Sequence, residues 1–85
     1  MPTILYINGW RFFFYANEGN EPPHIHCSKA DSDAKYWLDT AGFDIVPAYE
    51  YNISPSDRKI IRKIVFTHFE YIVGKWNEFQ SRQNG

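Results

Sequence analysis

The sequence predicts an α+β domain in which an antiparallel sheet of two hairpins, with a fifth edge strand, packs against one long C-terminal helix. Three observations carry that prediction: an Asn-Gly dipeptide between two β-branched and aromatic runs, an alternating stretch on either side of a short polar turn, and a helical stripe of apolar residues behind a capping signal. Eighty-five residues suffice for one domain and too few for two separate cores. A core of this size depends on large side chains, and seven Phe, six Tyr and three Trp supply them.

Residues 3–7 (TILYI) and 10–16 (beginning WRFFFY) form the first hairpin. Asn8-Gly9 between them suits a two-residue turn, because both turn positions must adopt positive φ. That turn sets Ile7 opposite Trp10, Tyr6 opposite Arg11, Leu5 opposite Phe12 and Ile4 opposite Phe13. Both faces of the second strand are largely apolar, as expected of a strand covered on both sides.

Residues 17–23 are rich in Asn, Gly and Pro and read as an exposed connector. Residues 24–29 and 34–39 alternate polar and apolar around a turn at 30–33 and predict the second hairpin, with Ile25 and Cys27 turned inward. The stretch 43–51 alternates as an edge strand does, while Pro47 removes a ladder donor and predicts an interruption.

Ser54 as N-cap, Pro55 at the first helical position and Asp57 three residues after the cap open a helix predicted to run over about 55–80. Its buried stripe is Ile61, Ile64, Val65, His68, Phe69, Ile72, Trp76 and Phe79, and the tail from Ser81 is predicted to fray. At the centre of that stripe, His68 reads as a core histidine. Phe66 and Val73 fall off the stripe and are predicted to stay exposed as a packing patch for another chain.

The net charge of −1 gives no global attraction to nucleic acid or anionic lipid. The single cysteine excludes an internal disulfide and fits a reducing compartment. No apolar run approaches the ~20 residues a membrane helix needs, and no signal sequence is evident at the start. The expectation is a cytoplasmic protein without membrane association.

The sharpest polar feature is Glu21-Pro-Pro-His-Ile-His26. Alternation on a strand puts His24 and His26 on one face, with Lys35, Trp37 and Asp39 across the hairpin on the same side. The sequence leaves three readings of this pair open. His24 and His26 could act as general base and acid on a phosphodiester, with Lys35 or Arg11 steadying the developing charge and Trp37 as stacking platform. They could instead hold a divalent metal, with Asp39 or Glu21 as a third ligand. They could also be two histidines without a role.

A second feature is the basic quartet Arg58, Lys59, Arg62 and Lys63 in the first turns of the helix, placed against the macrodipole. Together with Phe66 it suggests contact with phosphate or with an acidic partner surface. Motifs for nucleotide cofactors, serine hydrolases and zincins are missing from the sequence.

The stretches MPTIL at 1–5, RFFFY at 11–15, NEPPHIH at 20–26, AKYWLD at 34–39 and KWNEF at 75–79 resemble family 4160 of the domains of unknown function. The resemblance implies a small bacterial protein, often encoded beside a second small domain in a pair resembling a toxin-antitoxin module. It assigns no catalytic residue. Separately, the aromatic surface exceeds what one sheet face and one helix hide, which leads to the expectation of a partner protein or a homodimer. The expected function is therefore a protein-interaction component, with nucleic-acid binding as a further expectation. A small ribonuclease-like enzyme or a divalent-metal protein stands as the alternative.

Overall fold

The structure is a computed structural model that describes residues 3–15 and 21–84. Five strands form one antiparallel sheet in chain order: β1 (Thr3–Ile7), β2 (Trp10–Phe13), β3 (His24–Lys29), β4 (Ser32–Asp39) and β5 (Asp44–Tyr51). Two helices, α1 (Pro55–Thr67) and α2 (Phe69–Asn84), follow. No helix of the described residues is long and apolar enough to cross a membrane.

The first turn forms as its dipeptide requires, with φ of 53° at Asn8 and 82° at Gly9. Ile7, Tyr6 and Leu5 pair with Trp10, Arg11 and Phe12 as predicted. The fourth pairing differs: Thr3, not Ile4, lies opposite Phe13, because Ile4 is an extra residue in a bulge. Strand β2 ends at Phe13, short of the predicted 16, a residue that lies outside the described ones along with 17–20.

The second turn is tighter than 30–33. Lys29 pairs with Ser32 across Ala30-Asp31, with Ala30 at φ 52°, so β4 begins two residues early. Strand β5 continues across Pro47 for eight residues. Lys35 pairs with Tyr49 and Tyr36 with Pro47, leaving Ala48 as the extra residue of a bulge where the donor is lost.

Ser54 caps α1 with the reciprocal bonds of a capping box: Asp57 N–H donates to Ser54 Oγ at 3.0 Å and Ser54 N–H to Asp57 Oδ2 at 3.4 Å. The predicted single helix is instead two, joined at His68, whose φ of −111° and ψ of 22° leave the helical region. His68 N–H still donates to Ile64 O and its own carbonyl accepts from Ile72 N–H, so the ladder passes through the junction. The imidazole, expected in the core, is half-exposed there, which spares a polar ring the cost of apolar burial. α2 runs to Asn84, past the predicted end and through most of the tail expected to fray.

The helices cover one sheet face. Trp10, Phe12, Phe14, Ile25, Cys27, Tyr36, Leu38 and Ile45 meet Ile61, Ile64, Val65, Phe69, Ile72 and Trp76 in a single core. Phe66 and Val73, predicted to be exposed, are half-buried against it. Phe43 takes φ 52°, uncommon for a bulky residue, and its ring lies 4.5 Å from Phe69 and 6.0 Å from Phe66.

Candidate functional site

Strand register decides what the face opposite the helices presents, a face that α2 reaches at the His24 end through Trp76. Opposed pairs share a face, so Phe13, His26 and Lys35 line up across β2, β3 and β4, as do His24 and Trp37 with Val46 on β5. The alternation that placed His24, His26, Lys35 and Trp37 together on one side therefore holds. Their rings do meet: His24 and His26 lie 5.2 Å apart at an interplanar angle of 88°.

They are, however, packed rather than open. His24 is 0% and His26 3% exposed. His26 stacks on Phe13 at 5.6 Å and takes the edge contact of Tyr15 at 4.5 Å. His24 sits at the start of β3 with Trp37 at 5.6 Å and Trp76 of α2 at 4.7 Å. Its Nδ1 donates to Pro22 O at 2.8 Å, which fixes the ring orientation, and Nε2 faces Glu21 Oε2 at 3.8 Å. The end of the predicted connector is thus not loose: Leu38 N–H donates to Pro23 O at 2.9 Å, laying residues 21–23 beside β4.

Lys35 is committed to the same loop. Its Nζ bonds both carboxylate oxygens of Glu21, at 2.9 and 3.2 Å, and lies 4.4 Å from the centre of the Trp37 ring. Asp39 is not drawn to the imidazoles; its Oδ1 accepts from Gly42 N–H at 2.9 Å and closes the turn before β5. Among the described residues, no three His, Cys, Asp or Glu side chains come together closely enough to hold a metal ion.

The basic quartet is likewise divided. Arg58 forks onto Glu50, with Nε at 2.9 Å from Oε2 and an Nη at 2.8 Å from Oε1. Arg62 lies over the Phe66 ring at 5.1 Å, which leaves Lys59 and Lys63 exposed to solvent.

Sequence reasoning missed Glu50. It lies on the helix side of β5 and also accepts from Tyr36 Oη at 2.7 Å. The Arg58 fork, the largest influence, holds its carboxyl below the usual range, while burial raises the Tyr36 phenol. Burial similarly pushes the Cys27 thiol up to about 12. No local motif announces Glu50, because its partners are 14 residues before it and 8 after.

Among the described residues, two parts of the outer face remain uncovered: Tyr6 (70% exposed), alone on β1, and a larger strip over β4 and β5. Val46 (49% exposed), Tyr49 (42%) and Tyr51 (67%) project there beside the half-buried Trp37. Asp33 sits at one end of this strip, opposite Tyr51, and Asp39 faces Asp44 at the other.

The family described as a domain of unknown function, DUF4160, matches residues 9–77. No curated protein matches the chain, and no solved structure does.

Proposed function

The chain belongs to DUF4160, a family of domains of unknown function, and we propose that it works as a protein-interaction module, docking a partner protein on the outer face of β4 and β5. The observation that carries this reading is the uncovered strip of Trp37, Val46, Tyr49 and Tyr51. Three apolar or aromatic side chains 42% exposed or more, on the same face of one strand, form a surface that association would bury. Tyr and Trp dominate such contacts because they bring large, stiff, amphipathic area. The partner is the product of a neighbouring gene in a bacterial toxin-antitoxin-like pair.

Two features weigh against the enzyme and nucleic-acid alternatives. General acid-base work needs imidazoles within reach of substrate, and His24 and His26 are 0% and 3% exposed. Phosphate binding needs several uncommitted cations side by side, while Arg58 is forked onto Glu50 and Lys35 onto Glu21, so that Lys59 and Lys63 are what the basic quartet still offers.

The test is co-expression with the neighbouring gene product, wild type against Tyr49→Ser/Tyr51→Ser. The reading expects a complex that co-elutes with wild type and is lost with the double variant, while the variant keeps its circular dichroism. A complex indifferent to the double variant, or no complex at all, rejects it.

A further inference from the structure

We infer that the segment docking on the β4–β5 face is cationic at both ends and apolar between them. The inference rests on the reading above that this face is the docking surface, and adds the chemistry of what docks.

Charge on the face is distributed unevenly. Asp33, Lys35, Trp37 and Asp39 alternate on β4 and so share the outer side. Lys35, the cation among them, is neutralised by the two bonds to Glu21. The acids are not neutralised in the same way. Asp39 and Asp44 occupy directly opposed positions on β4 and β5, where like charges repel. Each has its hydrogen bond from a backbone N–H, from Gly42 and Ile45 respectively, and neither has a cation at ion-pair distance among the described residues. Asp33 accepts from the Tyr49 hydroxyl at 3.4 Å and also has no such cation.

The outer face over these strands is therefore an aromatic strip with uncompensated negative charge at both ends. Uncovered apolar surface and unpaired carboxylates are satisfied together by one kind of ligand. Apolar side chains fill the strip, and Lys or Arg reach the acids. Phosphate, by contrast, is repelled from both ends, which separates a protein ligand from RNA or DNA.

Geometry fixes the spacing. Asp33 and Asp39 are six residues apart on one strand, roughly 20 Å at about 3.3 Å per residue. A docking segment therefore carries its basic groups about six residues apart if extended, or about 13 apart if helical at 1.5 Å per residue. Such complementarity also speeds encounter and makes affinity fall with salt.

Three probes test this by titration against the full chain: a helical peptide of about 14 residues with Leu and Trp on one face and Lys at both ends, the same peptide with Glu in place of Lys, and a single-stranded RNA oligonucleotide. The Lys peptide is expected to bind, losing about tenfold or more in affinity for Asp33→Asn/Asp39→Asn/Asp44→Asn and on raising salt, and to lose binding to Tyr49→Ser/Tyr51→Ser. Equal binding of the Lys and Glu peptides, preference for RNA, or no binding of the Lys peptide overturns the inference. The co-expressed neighbour separates it from the reading beneath it. A complex lost with the tyrosine variant but unchanged by the three asparagines refutes the cationic segment alone. A complex unchanged by both sets refutes the docking face itself.

Discussion

The phenol of Tyr36, buried in the sheet's helix-side core, donates to Glu50 Oε2 at 2.7 Å, and the same carboxylate takes the guanidinium fork of Arg58 from the start of α1. One acidic side chain thus ties the edge strand both to its neighbour β4 and to the helix. Tyr36→Phe should cost about 1 kcal/mol, the net worth of one such bond, with Glu50 still held by Arg58. Urea titration at neutral pH reads it, and an unchanged midpoint would show that the bond adds nothing.

Acid should loosen the same junction. Glu50 has its folded pKa lowered, first by Arg58, from an ordinary value of 4.5. Its contribution is therefore complete above that value and disappears as pH falls through the lowered folded one. Glu50→Gln should flatten the loss of stability between about pH 5 and pH 2 relative to wild type. Parallel acid-denaturation curves for the two would contradict this.

Alkali acts with the opposite sign. Burial raises the Cys27 thiol from 9.0 to about 12, so the folded state holds a proton that the unfolded chain gives up, and stability falls as pH rises above 9. A thiol-specific reagent should accordingly leave Cys27 unmodified in the native protein at neutral pH and label it on unfolding. Rapid labelling under native conditions would be the contrary result.

The first turn offers a backbone test. Gly9 has φ 82°, and a Cβ there would come within 3.1 Å of Lys29 Cε, the flexible end of a side chain. The flexible neighbour can yield but the dihedral cannot, so Gly9→Ala should cost about 1–2 kcal/mol. A loss close to zero on thermal unfolding would contradict the type of turn.

Burial of the histidines predicts a structural penalty. His24 fills space between Trp37 and Trp76 and bonds Pro22 O, so His24→Ala should destabilise by about 2–4 kcal/mol. A variant as stable as wild type would instead mean that the ring is dispensable to packing.

What the sequence revealed and what it withheld divide along physical lines. The Asn8-Gly9 turn and the Ser54-Pro55-Asp57 cap were legible because each is settled within four residues by dihedral preference and local hydrogen bonds. Strand alternation likewise put His24, His26, Lys35 and Trp37 on one face. Alternation is silent on whether that face is covered; here Phe13, Tyr15 and Glu21-Pro22-Pro23 do the covering. The break at His68 escaped because the apolar stripe runs on across it, from Ile64 and Val65 to Phe69 and Ile72, and Phe66 was misjudged because Phe43, 23 residues earlier, reaches it. Glu50 joined Tyr36 to Arg58 only once β4, β5 and α1 had assembled.

The most direct test of the docking face is amide chemical-shift mapping of the isotope-labelled chain titrated with its neighbouring gene product. The account predicts that the shifts cluster at Trp37, Val46, Tyr49 and Tyr51 on the outer face of β4 and β5. Shifts confined to Lys59 and Lys63 on α1, or none at saturating partner, would contradict it.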